Sequence, residues 1–343
     1  MNRITILFTG GTIAMRRDPA DGSAVPALGG QEVLDRLTAG DHAPTLPWQL
    51  RAVEEGRRPG PQMNGPAVLD LRLAIDRELA AADAVVVAHG TDTLEETAFL
   101  LDLWQRTAAP VVLTGAMRTS DEPGWDGDAN LLDACRVAAD PQAAGRGVLV
   151  VLNRQIHAAT EVTKVATDSI DPLISRPAGP LGRIESKRPH WYRQPLRRCS
   201  LAIPAVATDP AMAPDGMPWV ELVTAHQDSD GRAIEAARGG GCAGFVVRAM
   251  GRGNVPPGLA QAMSAAVRDG LPVVLVSRCP HGQPGPDYGY PGGGARLLAD
   301  GVIFCTWLTD LKARTALTWL LQAGARDGDV KAFFENSPAP STP

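Results

Sequence analysis

Two threonines follow glycines at the ends of short apolar segments, an arrangement of residue types that could perform chemistry. Residues 4–8 are typical of a buried strand, which breaks at two glycines and is followed directly by Thr12. A second apolar run, residues 84–88, ends in His-Gly and is followed by Thr91. Glycine permits a close approach of two backbones, and open α/β sheets bind ligands at the carboxyl ends of their strands. The pattern predicts two hydroxyl groups at one pocket, where backbone N–H groups could stabilise an oxyanion.

Polar residues accompany the second threonine. Asp92 follows Thr91 directly, and Thr93 with Glu96 fits a capping box at the start of a helix. A more ordinary interpretation stays open, in which the threonines are solvated and Asp92 serves only a turn. A hydroxyl is a weak nucleophile until a base lies near it.

The motifs around these residues extend along nearly the whole chain and resemble those of the bacterial-type asparaginase/glutaminase family. The matching segments, in the family's order, are TGGTIA at 9–14, HGTDTLEETAFLLDL at 89–103, PVVLTGAMR at 110–118, DGDANLLDA at 126–134, EVTK at 161–164 and MGRGN at 250–254. The co-occurrence of the first two motifs at this spacing is highly specific.

The resemblance implies hydrolysis of the side-chain amide of L-asparagine, or of L-glutamine, to the acid and ammonia. It implies that Thr12 is the acyl-forming nucleophile and that Thr91, Asp92 and Lys164 form a supporting triad. Asp92 and Lys164 supply a charge pair. Asp92 is also expected to bind the α-ammonium group of the substrate, a role that suits a buried carboxylate. For Lys164 the alternative is an ordinary surface lysine.

Further positions are expected to bind the substrate. Gly11, Gly90 and Ala116 lie at predicted strand ends, where backbone groups can hold the amide and the oxyanion. Gln62 lies in a loop expected to face the substrate, and Asn254 matches a family position that reaches a neighbouring subunit's site. The family implies a homotetramer built as a dimer of dimers, with no cofactor and no metal.

The sequence departs from the family at the amino-acid end of the substrate. The family places a Tyr in the lid after the first motif, but Ala24 or Val25 stands near that position. The second loop of the family offers a Ser, whereas this chain has Gly-Pro-Gln at 60–62. Where many members lend a Glu from the second domain, this chain offers Asp287 or Tyr288. These changes affect recognition of the α-carboxylate more than the amide chemistry.

Two other functions remain open. The same threonines could hydrolyse a different or modified amide, or the chain could be a small-molecule binder that kept the fold without catalysis. Retention of both threonines, Asp92 and Lys164 counts against a pure binder. A nucleotide site at Gly10-Gly11 is disfavoured because the GxGxxG spacing is missing.

Composition limits the function classes. The net charge of −5 argues against partners such as nucleic acid or an anionic membrane. No apolar run reaches the length of about 18 residues needed for a transmembrane helix, and the chain begins without a basic leader, which favours the cytoplasm. The five cysteines show no CxxC spacing and are interpreted as reduced thiols.

Strands and helices alternate along the chain, which predicts an α/β protein. We expect a larger N-terminal domain over residues 1–190, with a mostly parallel sheet covered by helices on both faces. A linker over 191–218, with a basic patch at 193–198, then leads to a smaller C-terminal α/β domain over 219–343. Residues 18–30, rich in Pro, Gly, Asp and Ala, are expected to form an irregular lid over the pocket.

Overall fold

The computed structural model describes residues 2–38, 46–105, 107–196, 201 and 217–335. Two compact units divide the chain, one within Met1–Ser200 and the other within Leu201–Ala339. Most of the predicted linker lies outside the described residues, so the boundaries of the domains stay a prediction.

The first unit is an α/β structure whose elements alternate as the sequence indicates. Its strands are β1 (Arg3–Phe8), β2 (Met15–Arg17), β3 (Ala24–Pro26), β4 (Gln49–Glu54), β5 (Ala84–Ala88), β6 (Val111–Thr114), β7 (Val148–Leu152), β8 (Gln155–Ala158), β9 (Val162–Lys164), β10 (Leu173–Ser175), β11 (Gly182–Glu185) and β12 (Arg188–Trp191). Its helices are α1 (Gly30–Thr38), α2 (Gly65–Leu79), α3 (Leu94–Trp104) and α4 (Gly127–Ala139).

Within the described residues, eight of these strands form one sheet in the order β12-β11-β8-β7-β6-β5-β1-β4. Neighbouring strands pair in parallel along β4, β1, β5, β6 and β7, and the sheet continues through β8, β11 and β12 with antiparallel pairs. Every residue of β5, β6 and β7 is buried. Continuous apolar runs of this kind are what a parallel sheet requires when both its faces are covered.

Helices cover both faces of this sheet. Ala84, Val86 and Ala88 share one apolar cluster with residues of α1 and α4. Val85 and Val87 are equally buried but point to the opposite face, because successive strand residues alternate. The helices α2 and α3 contact the sheet without contributing to that cluster, so they cover the second face.

The predicted lid is more regular than expected. The sequence predicts an irregular loop over 18–30, but β2 and β3 form an antiparallel hairpin there and α1 begins at Gly30. Two backbone hydrogen bonds close the turn, from Asp18 N to Ser23 O at 2.7 Å and from Gly22 N to Asp18 O at 2.8 Å. Local pairing across a short turn is the reason that this polar segment forms strands.

The second unit repeats the α/β pattern on a smaller scale. Its described strands and helices are β13 (Val220–Thr224), β14 (Gly244–Ala249), β15 (Val273–Ser277), β16 (Ile303–Phe304), α5 (Arg232–Gly239), α6 (Pro257–Arg268), α7 (Gly294–Ala299), α8 (Asp310–Gln322) and α9 (Asp327–Glu335). The strands form a parallel sheet in sequence order. Together the two units confirm the predicted fold class, a large mostly parallel sheet domain followed by a smaller α/β domain.

No helix in the described ranges is both long and apolar enough to cross a membrane. Among the described residues, Cys135, Cys242, Cys279 and Cys305 form no disulfide. Cys199 lies outside the described residues.

Candidate active site

The ends of two neighbouring parallel strands bring the two threonine-bearing loops into contact. Strands β1 and β5 pair in parallel, so their carboxyl ends lie at the same edge of the sheet. Gly11 has a φ of +87°, and a Cβ atom added to it would lie 2.5 Å from the backbone nitrogen of Gly90. Only glycine fits such a contact at this φ. Thr12, half-buried at the start of a short 3₁₀ turn, and Thr91 therefore lie on adjoining loops.

Lys164 connects the second threonine to the carboxylate that follows it. Lys164 Nζ lies 2.9 Å from Thr91 Oγ1 and 2.6 Å from Asp92 Oδ1. Thr91 is buried, and 16% of the Lys164 side chain is exposed. The expectation of a buried Asp92 carboxylate is wrong, since 64% of that side chain is exposed. The loop after β5 directs this carboxylate toward solvent, where a ligand can reach it.

A third strand end completes this edge of the sheet. Ala116 is buried in the loop that follows β6. A Cβ atom added to the preceding Gly115 would lie 2.5 Å from His89 O and 3.1 Å from Thr91 Cγ2. The Met117 sulfur accepts a hydrogen bond from the Thr91 hydroxyl at 3.5 Å. The predicted backbone positions at Gly11, Gly90 and Ala116 therefore cluster at three adjacent strand ends.

The loop that carries Gln62 packs against the Thr91 loop. Gln62 is exposed at the end of the 3₁₀ turn Gly60–Gln62. Thr93 Oγ1 donates to Gly60 O at 2.8 Å. The Thr93 hydroxyl makes no capping bond at the start of α3, as the predicted capping box requires, and bonds to Gly60 O instead.

Asn254 belongs to the second unit. Its backbone pairs with Met250 in an isolated β-bridge, with both hydrogen bonds at 2.9 Å. Its side-chain oxygen is buried and has no partner among the described residues. Its role at a neighbouring subunit's site stays a prediction. No group of three or more His, Cys, Asp or Glu residues in the described ranges is arranged to hold a metal ion.

The family models match almost the whole chain. Residues 3–197 match the model of the N-terminal asparaginase domain, and residues 219–334 match that of the glutaminase/asparaginase C-terminal domain. The chain belongs to the asparaginase family.

Relatives within the asparaginase family are similar over more than nine-tenths of their lengths. A protein of Deinococcus radiodurans named probable L-asparaginase is 38% identical over 97% of each chain. A protein of Haemophilus influenzae named probable L-asparaginase periplasmic is 32% identical over 97% of this chain and 92% of its own. The crystal structure of a probable cytoplasmic L-asparaginase from Campylobacter jejuni superposes with a TM-score of 0.81 at 26% identity, and covers 98% of this chain and 99% of its own.

Two polar residues of the asparaginase motif at 126–134 form hydrogen bonds to the loop that follows β6. They were assigned no role from the sequence. Asp126 accepts hydrogen bonds from Met117 N at 3.0 and 3.1 Å. Asn130 is buried, donates to Gly115 O at 3.0 Å and accepts from Asn153 N at 2.9 Å. Their place in a family motif was the sequence signal that could have identified these two residues. The groups to which their side chains bond are visible only in the structure.

His89 is a third polar residue without a predicted role, and its environment keeps it neutral. The residue is completely buried, and burial lowers the pKa of its imidazole from 6.5 to about 4. Nδ1 lies 2.7 Å from Gly90 O. Because a carbonyl oxygen only accepts, the proton of the neutral ring sits on Nδ1. This bond fixes the peptide between Gly90 and Thr91, next to the candidate site.

We expect His89 to make the protein less stable in mild acid. Its folded pKa lies below the unfolded value of 6.5, so between about pH 6.5 and 4 the unfolded chain binds a proton that the folded chain does not. The contribution of His89 to the free energy of unfolding is therefore complete above pH 6.5 and is lost as the pH falls toward 4. Its full value is about 3 kcal/mol. Thermal midpoints at pH 7 and pH 4.5 should differ less in His89→Asn than in the wild type. An equal loss in both proteins would contradict this assignment.

Proposed function

We propose that this protein hydrolyses the side-chain amide of L-asparagine to aspartate and ammonia. The observation that carries the proposal is the contact of Lys164 Nζ with both Thr91 Oγ1 and Asp92 Oδ1, at 2.9 and 2.6 Å. This group lies at the strand end that packs against the Thr12 loop. Membership of the asparaginase family supports the same reaction, which places the protein among hydrolases that act on amide C–N bonds.

In the proposed mechanism, the Thr12 hydroxyl oxygen attacks the amide carbon. The C–N bond breaks, ammonia leaves with one added proton, and an ester forms between the acyl group and Thr12. Water then cleaves this ester to give the carboxylic acid and restores the hydroxyl. Thr91 and Lys164 transfer the protons, because the Lys164 amine is hydrogen-bonded to the Thr91 hydroxyl and also to the Asp92 carboxylate. Backbone groups near Gly11 and Ala116 stabilise the oxyanion.

The substrate is held by groups around this edge. The exposed Asp92 carboxylate binds the α-ammonium group. Gly90 and Gln62 contribute from the two loops that pack together, and Asn254 contributes to the site of a neighbouring subunit. The family description also contains glutaminase, so L-glutamine is the second substrate to test.

Ammonia release separates the candidate functions. Purified protein should release ammonia from L-asparagine, and less from L-glutamine. A non-catalytic binder would show saturable binding of the amino acid without ammonia. An enzyme for a different amide is favoured by the lid hairpin without a Tyr and by the loop 60–62 without a hydroxyl. Release from a modified asparagine but not from the free amino acid would support that second function.

We expect tolerance of changes at the α-carboxylate of the substrate. The loop at 60–62 offers no hydroxyl to it and the lid offers no phenol, so little transition-state stabilisation is lost when the α-carboxylate is changed. The kcat/KM values for L-asparagine and its α-amide should therefore agree within about tenfold.

Asp287 or Tyr288 of a neighbouring subunit is the candidate that replaces the missing lid phenol as the activating group. Asp287 accepts from Arg252 Nε at 2.5 Å, and this bond holds the pKa of Asp287 below its usual value of 3.8. Asp287→Ala and Tyr288→Phe should each lower kcat/KM for the free amino acid. Strong preference for the free acid, unaffected by either change, would show that the departures do not alter recognition.

We propose that the active form is a homotetramer made of two dimers and that it acts in the cytoplasm. The second domain of one subunit would then complete a neighbour's pocket, in keeping with closed symmetric assemblies. One relative named above carries the word cytoplasmic and another the word periplasmic. Light scattering that shows a fully active monomer at assay concentration would refute the assembly, and fractionation of cells tests the location.

A further inference from the structure

The strand that carries Lys164 does not belong to the main sheet. Among the described residues, β9 pairs only with β10, and the two form a separate two-stranded sheet with Lys164 opposite Leu173. The sheet that carries Thr91 therefore does not fix the position of Lys164 through strand pairing. Other contacts must hold β9 where Nζ meets the Thr91 hydroxyl.

Glu95 makes such a contact. It lies in the first turn of α3, four residues after Thr91, and is buried with 5% exposed. One carboxylate oxygen accepts from Thr163 Oγ1 at 2.5 Å, and the other accepts from Lys164 N at 3.1 Å. Hydrogen bonds to an ionised acceptor are about twice as strong as neutral ones. Both oxygens of this carboxylate are thus bonded to β9.

We infer that Glu95 is a positioning residue that anchors the Lys164 strand to the helix after Thr91 and Asp92. The inference rests on the proposed function, since it assigns Glu95 to the group that transfers protons there. Glu95 does not take part in the chemistry itself, because both its oxygens already accept from β9. A displacement of about 1 Å in a catalytic group costs on the order of a hundredfold in rate.

Thr163 gives a cleaner test than Glu95. A carboxylate in the first turn of α3 also stabilises the helix end, so its removal would mix two effects. Thr163→Val keeps the branched shape and removes only the hydroxyl, while Thr163→Ser keeps the hydroxyl. We expect the valine variant to lose about tenfold in kcat with little change in KM. The serine variant should stay close to the wild type.

A double-mutant cycle separates positioning from general stability. Lys164→Met removes the amine that the tether holds in place. If Thr163 acts through that amine, adding Thr163→Val to Lys164→Met leaves the residual rate unchanged, because coupled residues are not additive. The same tenfold loss in both backgrounds would overturn the inference.

Crystal structures of the two Thr163 variants give a readout that needs no substrate. The distance from Lys164 Nζ to Thr91 Oγ1 should exceed the hydrogen-bond limit of about 3.5 Å in the valine variant and remain short in the serine variant. If the distance lengthens in the valine variant but the wild-type protein releases no ammonia, the proposed function is refuted and the tether is supported. An unchanged distance in the valine variant would refute the tether, whether or not the enzyme is active.

Discussion

Removal of either threonine hydroxyl is expected to reduce kcat/KM for L-asparagine by on the order of a thousandfold or more. Thr12→Ala removes the proposed nucleophile, and Thr91→Val removes the hydroxyl to which Lys164 bonds at 2.9 Å. Valine has nearly the shape of threonine, and Lys164 keeps its contact with Asp92 at 2.6 Å. The fold should therefore survive, while the proton pathway is broken. Steady-state ammonia release on purified variants measures the loss.

Serine at the same positions is the matched control. Thr12→Ser and Thr91→Ser keep a hydroxyl and lose only a methyl group, so they should retain far more activity than the first pair. The kcat/KM of the variant with both Thr12→Ala and Thr91→Val should be only slightly lower than that of either single variant. The effects of residues that act as one catalytic unit are not additive. Thermal midpoints of all variants confirm that they are folded. Wild-type turnover in folded Thr12→Ala or Thr91→Val would refute the assignment of that residue.

The pairing of the two threonine loops was predictable from sequence because each loop has a local signal. Each follows a buried apolar strand and a glycine, and adjacent parallel strands end at one edge of a sheet. The structure adds the direct contact of Gly11 with Gly90. The central strands were predictable for the same reason, since burial on both faces leaves a continuous apolar run.

The supporting polar groups were not predictable in this way. Glu95, Asp126 and Asn130 each bond to a backbone group nine or more residues away, and a sequence does not show which side chain meets which backbone group. Thr93 illustrates the limit, since its local pattern fits a helix cap but its hydroxyl bonds to a distant carbonyl. The expected burial of the Asp92 carboxylate was wrong for a similar reason. The direction of its loop, which exposes 64% of the side chain, is visible only in the structure.

The edge strands were missed for a related reason. The alternation that predicts a parallel sheet ends at β7, and β8, β11 and β12 continue the sheet as short antiparallel strands. Strands β11 and β12 have only four residues each, and β11 joins the sheet through non-local pairing of Gly182 with Ile156. Trp191, where the predicted linker begins, therefore lies in a strand of the sheet.

Gly11→Ala is expected to have the second-largest effect, because the added methyl group meets backbone atoms that cannot rotate away. Its Cβ would lie 2.5 Å from Gly90 N and 2.6 Å from Gly90 Cα, at a φ of +87°. The two loops must separate, which moves Thr12 relative to Thr91. We expect kcat/KM to fall by about a hundredfold or more, with a lower thermal midpoint.

Gly145→Ala is the control that separates this collision from backbone strain alone. Gly145 has a φ of +75°, and nothing lies within 4 Å of the position of an added Cβ. Both substitutions impose a residue other than glycine on a positive φ, at a cost of about 1–2 kcal/mol. Only the change at Gly11 also forces the two loops apart. Both variants should therefore lose thermal stability, but only Gly11→Ala should lose activity at a temperature where both are folded. Equal kcat/KM values in the two variants would show that catalysis does not depend on the close contact between the loops of Thr12 and Thr91.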